Sequence, residues 1–229
     1  MTHIESAIVV WRPARSPGAL ASATNDLLTA VSGVDSTMKR WFIPDGTPRR
    51  GEPLRGGNAM DLLMAAGTAG PPLVGNPDAF ILRLWNGEDG DRGSGIFVRD
   101  GFHLPSKTPA GTAGLDLPRS IGNEARVGVL RALAETFRPD MGALTNTELI
   151  GRLDEGKSAG PVIYISESQY ELHSLPPWVV EEPSAAPGHI LRYRAWTGVD
   201  FSSEELQVLD TAFTARESAS ANSGLTGGG

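Results

Sequence analysis

The segment from Ala79 to Arg99 constrains the fold more than any other. Ala79 to Trp85 and Gly93 to Arg99 are two runs of β-forming residues. Between them stands Asn86-Gly-Glu-Asp-Gly-Asp-Arg, whose Asn, Gly and Asp residues tolerate the left-handed backbone of a tight turn. Strands joined so locally pair antiparallel, because a parallel return needs a long crossover. The chain is therefore expected to contain an antiparallel sheet.

Helices have to cover that sheet. Ser16 followed by Pro17 supplies an N-cap and a proline at the first helical position. Leu20, Thr24, Leu27, Leu28 and Val31 then recur at helical spacing, and Gly33 is the expected C-cap. A second helix opens at Asn123, carries Val127, Leu130, Leu133 or Ala134, and Phe137, and stops at Pro139. Ser202 and Glu205 form a capping box ahead of Leu206, Leu209 and Phe213. Shorter helices are expected over Asn58 to Ala66, with Met60, Leu63 and Met64 inward, and over Asn146 to Leu153.

Further strands are expected at Ser6 to Trp11, Leu115 to Leu117, Pro161 to Ser166 and His189 to Trp196. Pro44 to Gly57 is rich in Pro, Gly and Arg and reads as a loop. The class is α+β: a mainly antiparallel sheet with helices packed on one side. The element order allows two similar halves. Residues 1–215 are expected to form one domain, and 216–229 a disordered Ser/Gly-rich tail.

Composition narrows the function. With 229 residues the chain can bury a core without staples, and it has no cysteine, which removes disulfides and thiolate chemistry together. No secretory signal or membrane-length apolar run is visible, so a soluble, cytoplasmic protein is expected, with no membrane contact. A net charge of −7 argues against nucleic acid as a partner. Eight of the acids lie between Asp140 and Glu182, against only Arg152 and Lys157, so that stretch is net −6 (8 minus 2). The first 58 residues run the other way, with Arg12, Arg15, Lys39, Arg40, Arg49, Arg50 and Arg55 outnumbering the acids.

Signatures of catalysis are missing: no H-E-x-x-H, G-x-S-x-G, P-loop or G-x-G-x-x-G. The four histidines, His3, His103, His173 and His189, are scattered singly, without the spacing of a metal site. No cofactor, metal or enzymatic activity is expected. The adjacent acids Asp154-Glu155 and Glu181-Glu182 would point apart, and Glu167 with Glu171 is the better-spaced pair. Trp178 follows Pro176-Pro177 and precedes Val179-Val180-Glu181-Glu182, as an interface anchor on a stiffened segment would.

An ordered set of motifs resembles a known family. It comprises Trp11-Arg-Pro, Lys39-Arg-Trp-Phe, Gly56-Gly-Asn, Phe80-Ile-Leu-Arg-Leu-Trp-Asn-Gly, Leu115-Asp-Leu-Pro and Leu130-Arg-Ala-Leu-Ala-Glu-Thr-Phe-Arg-Pro-Asp. The set, spread over Ile8 to Phe213, is similar to the immunity protein 52 family of bacterial polymorphic toxin systems. The resemblance implies an immunity-type domain that binds a cognate toxin, with a restriction-endonuclease-like nuclease as the expected target. It carries over no catalytic residues.

A nuclease site is electropositive, so carboxylates on an inhibitor would complement it. The expected toxin-binding residues are Asp154, Glu155, Glu167, Glu171, Trp178, Glu181 and Glu182. Two other readings stay open: a small-molecule-binding or scaffold module, and a hydrolase built on Glu167 or His173. Oligomeric state is left open.

Overall fold

The structure, a computed structural model, describes residues 2–44, 51–54, 59–68, 80–100, 111–146, 148–196 and 200–216. Thr2–His3 (β1) and Ser6–Trp11 (β2) lead into Pro17–Val34 (α1). Phe42–Pro44 (β3), Gly51–Pro53 (β4), Ala59–Thr68 (α2), Phe80–Trp85 (β5), Gly95–Asp100 (β6) and Gly111–Asp116 (β7) follow. Then come Asn123–Phe137 (α3), Met141–Thr145 (β8), Ile150–Asp154 (α4), Val162–Ser166 (β9) and Tyr170–Leu172 (β10). Val179–Glu182 (β11), Gly188–Tyr193 (β12), Asp200–Phe201 (β13), Ser203–Asp210 (α5) and Phe213–Ala215 (β14) complete the order.

One ten-stranded sheet dominates, in the order β11-β12-β9-β8-β2-β7-β6-β5-β3-β4. Every pairing in it is antiparallel, so the fold is α+β as expected. Two small ribbons, β1-β13 and β10-β14, stand apart from it. The β2/β8 seam divides the large sheet. From the seam outward the chain runs 2-7-6-5 on one side and 8-9-12-11 on the other, so the two sides differ in connection.

β2 sits in the middle and all six of its residues are buried. Alternation sends Val9 and Trp11 to one core cluster and Ile8 and Val10 to another. The first cluster lies under the three long helices, α1, α2 and α3. The second lies on the opposite face, covered by α4 and the β10-β14 ribbon. α5 straddles the end, giving Leu206 to the first cluster and Leu209 to the second. The long helices thus keep to one side, and short elements cover part of the other.

Several sequence expectations are corrected. Met141–Thr145 is a fully buried central strand that the pattern did not suggest. The third strand of the hairpin region covers Gly111–Asp116 rather than Leu115 to Leu117. Gly51–Pro53 pairs with Phe42–Pro44 inside the stretch expected to be a loop. α1 runs through Gly33 and is capped by Asp35, whose N–H donates to the Val31 carbonyl. In α2 Leu62 and Ala65 face the core, while Met64 is 68% exposed. Residues 217–229 and the Gly56-Gly-Asn motif lie outside the described residues.

Candidate functional site

Four of the expected contact residues, Glu167, Trp178, Glu181 and Glu182, lie near the β11 end of the sheet. β9 turns over Glu167 to Gln169 into β10, and the N–H of Glu167 donates to the Pro187 carbonyl (3.3 Å). That bond sets the turn beside the start of β12. Pro176 accepts from the N–H of Val179 (2.9 Å), so the Pro-Pro-Trp segment closes a turn that delivers the chain into β11. Among the described residues β11 pairs only with β12, and it forms one edge of the large sheet.

Pleating separates the acids. Glu181 shares a face with Val179 and Leu191, on the side of the second core cluster. Glu182 lies opposite Ile190, on the long-helix side. Adjacent strand residues point to opposite faces, so the two carboxylates do not converge.

Each meets an internal base. Glu181 Oε1 lies 2.7 Å from Nδ1 of His189, and Glu167 Oε1 lies 3.9 Å from its Nε2. The structure therefore brings Glu167 and Glu181 together, through a histidine. Arg192 Nε donates to Glu182 Oε1 (2.6 Å) in a pair where the carboxylate side chain is only 14% exposed. Glu155 accepts from Lys157 Nζ (2.8 Å), and that contact holds its pKa below the ordinary carboxylate value.

The remaining candidates spread out. Glu171 stands on the exposed side of the β10-β14 ribbon, while Tyr170 and Leu172 turn inward. Asp154 ends α4, and its side chain lies outside the described residues. Trp178 is 49% exposed, and its carbonyl accepts from the N–H of Arg194 (2.7 Å). The seven candidates thus form no single cluster. Trp178 at the edge, Glu167 and Glu181 about His189, and Glu171 beyond them are exposed.

His189 and Arg192 are the residues that sequence reasoning missed. The signal was present as a cross-strand pattern. His189 and Arg192 fall diagonally across from Glu181 and Glu182, but the pattern reads only once Val179–Glu182 is recognised as a strand.

A small cavity of about 200 Å³ lies nearby, lined in part by Arg12, Asp140, Glu155, Gln169, Tyr170 and Arg216. Burial raises the Asp140 carboxyl, while Arg12 and Arg15 pull it back down. Burial also pushes up the Tyr170 phenol, whose O–H points at the Met141 sulfur (3.6 Å). Burial, with Glu167 and Asp140 nearby, pushes the Tyr164 phenol up to about 12, so it donates to the Pro187 carbonyl throughout the neutral range. The cavity is smaller than the roughly 300 Å³ at which ligand pockets begin, and its two arginines face two carboxylates. His173 is exposed just after the end of β10, and its N–H donates to the Ala212 carbonyl. Among the described residues no group of three or more His, Asp or Glu could hold a metal ion. Nor, among them, is any helix long and apolar enough to cross a membrane.

No family model matches the sequence, and no curated protein does. Solved structures give a likeness. The chain shares its fold with the Pseudomonas aeruginosa T6SS protein PA0821. The TM-score is 0.50 at 8% identity, covering 90% of this chain and 71% of that one. At such identity the likeness speaks for the fold alone. Three residues of the motif set have structural roles. Trp11 and Trp41 are buried, and Asn86 is 3% exposed and fully hydrogen-bonded.

Proposed function

We propose that this chain is an immunity protein, an antitoxin that binds and neutralises a cognate secreted bacterial toxin. The observation that carries the reading is a fold held in common, over 90% of the chain, with a protein of a type VI secretion system. The ordered motif set resembling the immunity protein 52 family adds the finer step, from a secretion setting to inhibition of a toxin. On that resemblance the toxin is a nuclease with a restriction-endonuclease-like fold. The chain acts by binding, without turnover, and works in the cytoplasm of the cell that makes the toxin.

The contact we assign to the toxin centres on Trp178, with Glu167, Glu171 and Glu181 beside it. An aromatic side chain half open to water is a ready anchor. Carboxylates around it attract the electropositive groove of a nuclease and speed encounter. Glu182 is given a structural role, since it is mostly buried against Arg192 of this chain.

The test is co-expression with the nuclease domain of a secreted toxin, should one be encoded beside this gene. Rescue of growth and co-purification of a stable complex are expected. Growth arrest despite full expression of this chain, with no complex recovered, would overturn the reading.

A further inference from the structure

Among the described residues, the face of the sheet opposite the long helices is covered over only part of its width. Its second core cluster draws on β2, β8, β9, β12 and β11, and its cover ends near Ile150 of α4 and Phe97 of β6. Beyond that line lies an open depression of about 470 Å³ over β5, β6 and β7, bordered by Ile150.

Register fixes what this bare surface presents. Ile81 pairs with Arg99 and Arg83 with Phe97, so all four project from the same face. Thr112, opposite Arg99, continues the row. Trp85 lies two residues beyond Arg83, with the Phe42 ring tilted against it at 5.9 Å. The Phe97 ring rests on Gly114, where an added Cβ would stand 2.4 Å away. That contact keeps the ring flat on the sheet.

A solvent face of an antiparallel sheet ordinarily alternates polar side chains outward. Here Ile81, Phe97 and Trp85 are half-buried and open to one side, and Arg83 and Arg99 are exposed among them. Among the described residues neither arginine has an acidic partner. At the other end of the sheet, by contrast, Glu181 and Glu182 are bonded to bases. Aromatics with arginine are the composition of interface anchors. Two guanidinium groups flanking an apolar strip fit carboxylates flanking an apolar side chain.

We propose that the bare β5-β6-β7 face is a second docking surface, for a protein segment that carries carboxylates around an apolar or aromatic residue. It goes beyond toxin neutralisation and is independent of it: either can fail while the other stands.

The full-length chain, immobilised, is panned against a displayed library of random peptides, and the enriched peptides are measured on an Arg83→Glu/Arg99→Glu variant. Both arginines are exposed, so the variant should fold, which its thermal melting checks. The expected peptides combine Asp or Glu with Leu, Phe or Trp, and bind the variant at least about tenfold more weakly. A milder Arg83→Gln/Arg99→Gln variant should fall between. No enrichment, enrichment of basic or uncharged peptides, or binding unchanged in the Glu variant would each overturn the proposal. So would enrichment only on a chain cut after Arg216, since the face would then belong to this protein's own C-terminal residues.

Discussion

The indole Nε1 of Trp11 donates to Oδ2 of Asp100 across 2.8 Å, tying the central strand β2 to the end of β6. The same oxygen accepts the backbone N–H of Arg15 (3.0 Å). The Arg15 guanidinium sits 4.8 Å above the indole, and the Phe137 ring stacks on Trp11 at 5.3 Å. Asp100 is completely buried, which an acid tolerates only when its oxygens are bonded. Burial lowers the Arg15 pKa, and Asp100 and Asp140 oppose that shift.

Asp100→Ala should therefore cost about 3 kcal/mol, because it strands a buried indole N–H and removes the counter-charge of Arg15. Asp100→Asn should cost less, since it keeps one acceptor oxygen. Urea unfolding of the two variants checks the order.

Asn86 makes four side-chain hydrogen bonds that hold the β5-β6 turn. Its Nδ2 donates to the carbonyls of Thr37 (3.1 Å) and Arg92 (2.9 Å). Its Oδ1 accepts from the N–H groups of Glu88 (3.2 Å) and Ser94 (3.0 Å). At about 1 kcal/mol net for each, Asn86→Ala should lose roughly 3 kcal/mol or more. Asn86→Asp keeps the acceptor but turns a donor pair into a carboxylate facing two carbonyls, and should be no better. Thermal melting of the two variants checks this. Gly87, with φ +80, completes the turn in a conformation that other residues resist.

These two sites explain what was legible in the sequence. The Leu-Trp-Asn-Gly turn, the Ser16-Pro17 cap and the Ser202–Glu205 capping box are local, and the structure forms all three. β8 was not legible, because Met-Gly-Ala-Leu-Thr is a poor strand by propensity. Its position is set by packing: a Cβ on Gly142 would lie 2.6 Å from Val9, so only glycine lets the two central strands approach. The acids were legible as a net charge but not as a site. Their partners, His189 and Arg192, come from a neighbouring strand whose pairing no local pattern announces.

Among the described residues, Arg126 is a buried cation without a carboxylate partner. It is 1% exposed in α3, and its Nε and Nη1 have no hydrogen-bond acceptor. Only Nη2 reaches the carbonyls of Pro118 (3.5 Å) and Arg119 (3.4 Å), both at long range. Desolvation lowers its pKa accordingly. Arg126→Met keeps the apolar stem and removes the charge, so it should raise stability by about 1 kcal/mol. A drop in the urea midpoint would contradict this.

Asp116 gives the protein a pH dependence. Burial raises its pKa above 3.8, although Ser6 Oγ donates to it (3.0 Å), and nearby Glu5 adds to the rise. A carboxyl with a raised folded pKa binds more protons folded than unfolded. Its stabilising contribution is complete below 3.8 and is lost as pH rises through the folded value. Asp116→Asn keeps the acceptor for Ser6 and removes the charge of a residue that is itself exposed at the end of β7. It should flatten the stability curve only slightly in the window just above 3.8, since solvent screens an exposed carboxylate. Unfolding titrations of both proteins across that range read the difference.

Glu171 and Glu182 separate binding from folding at the proposed toxin surface. Glu182 is mostly buried against Arg192, so Glu182→Lys sets two cations face to face. It should destabilise the fold by about 2 kcal/mol or more. Glu171 pairs across the ribbon with Thr214 and points to water, so Glu171→Lys should leave the melting temperature within about a degree. If this face meets an electropositive toxin, Glu171→Lys together with Glu167→Lys slows association and weakens the complex about tenfold or more. Their effect should shrink as salt is raised, because exposed charges are screened. Trp178→Ala should instead speed dissociation, as loss of an apolar anchor does. Association and dissociation rates of the toxin complex at two salt concentrations distinguish these effects. Unchanged rates in all three surface variants would move the toxin contact away from β11.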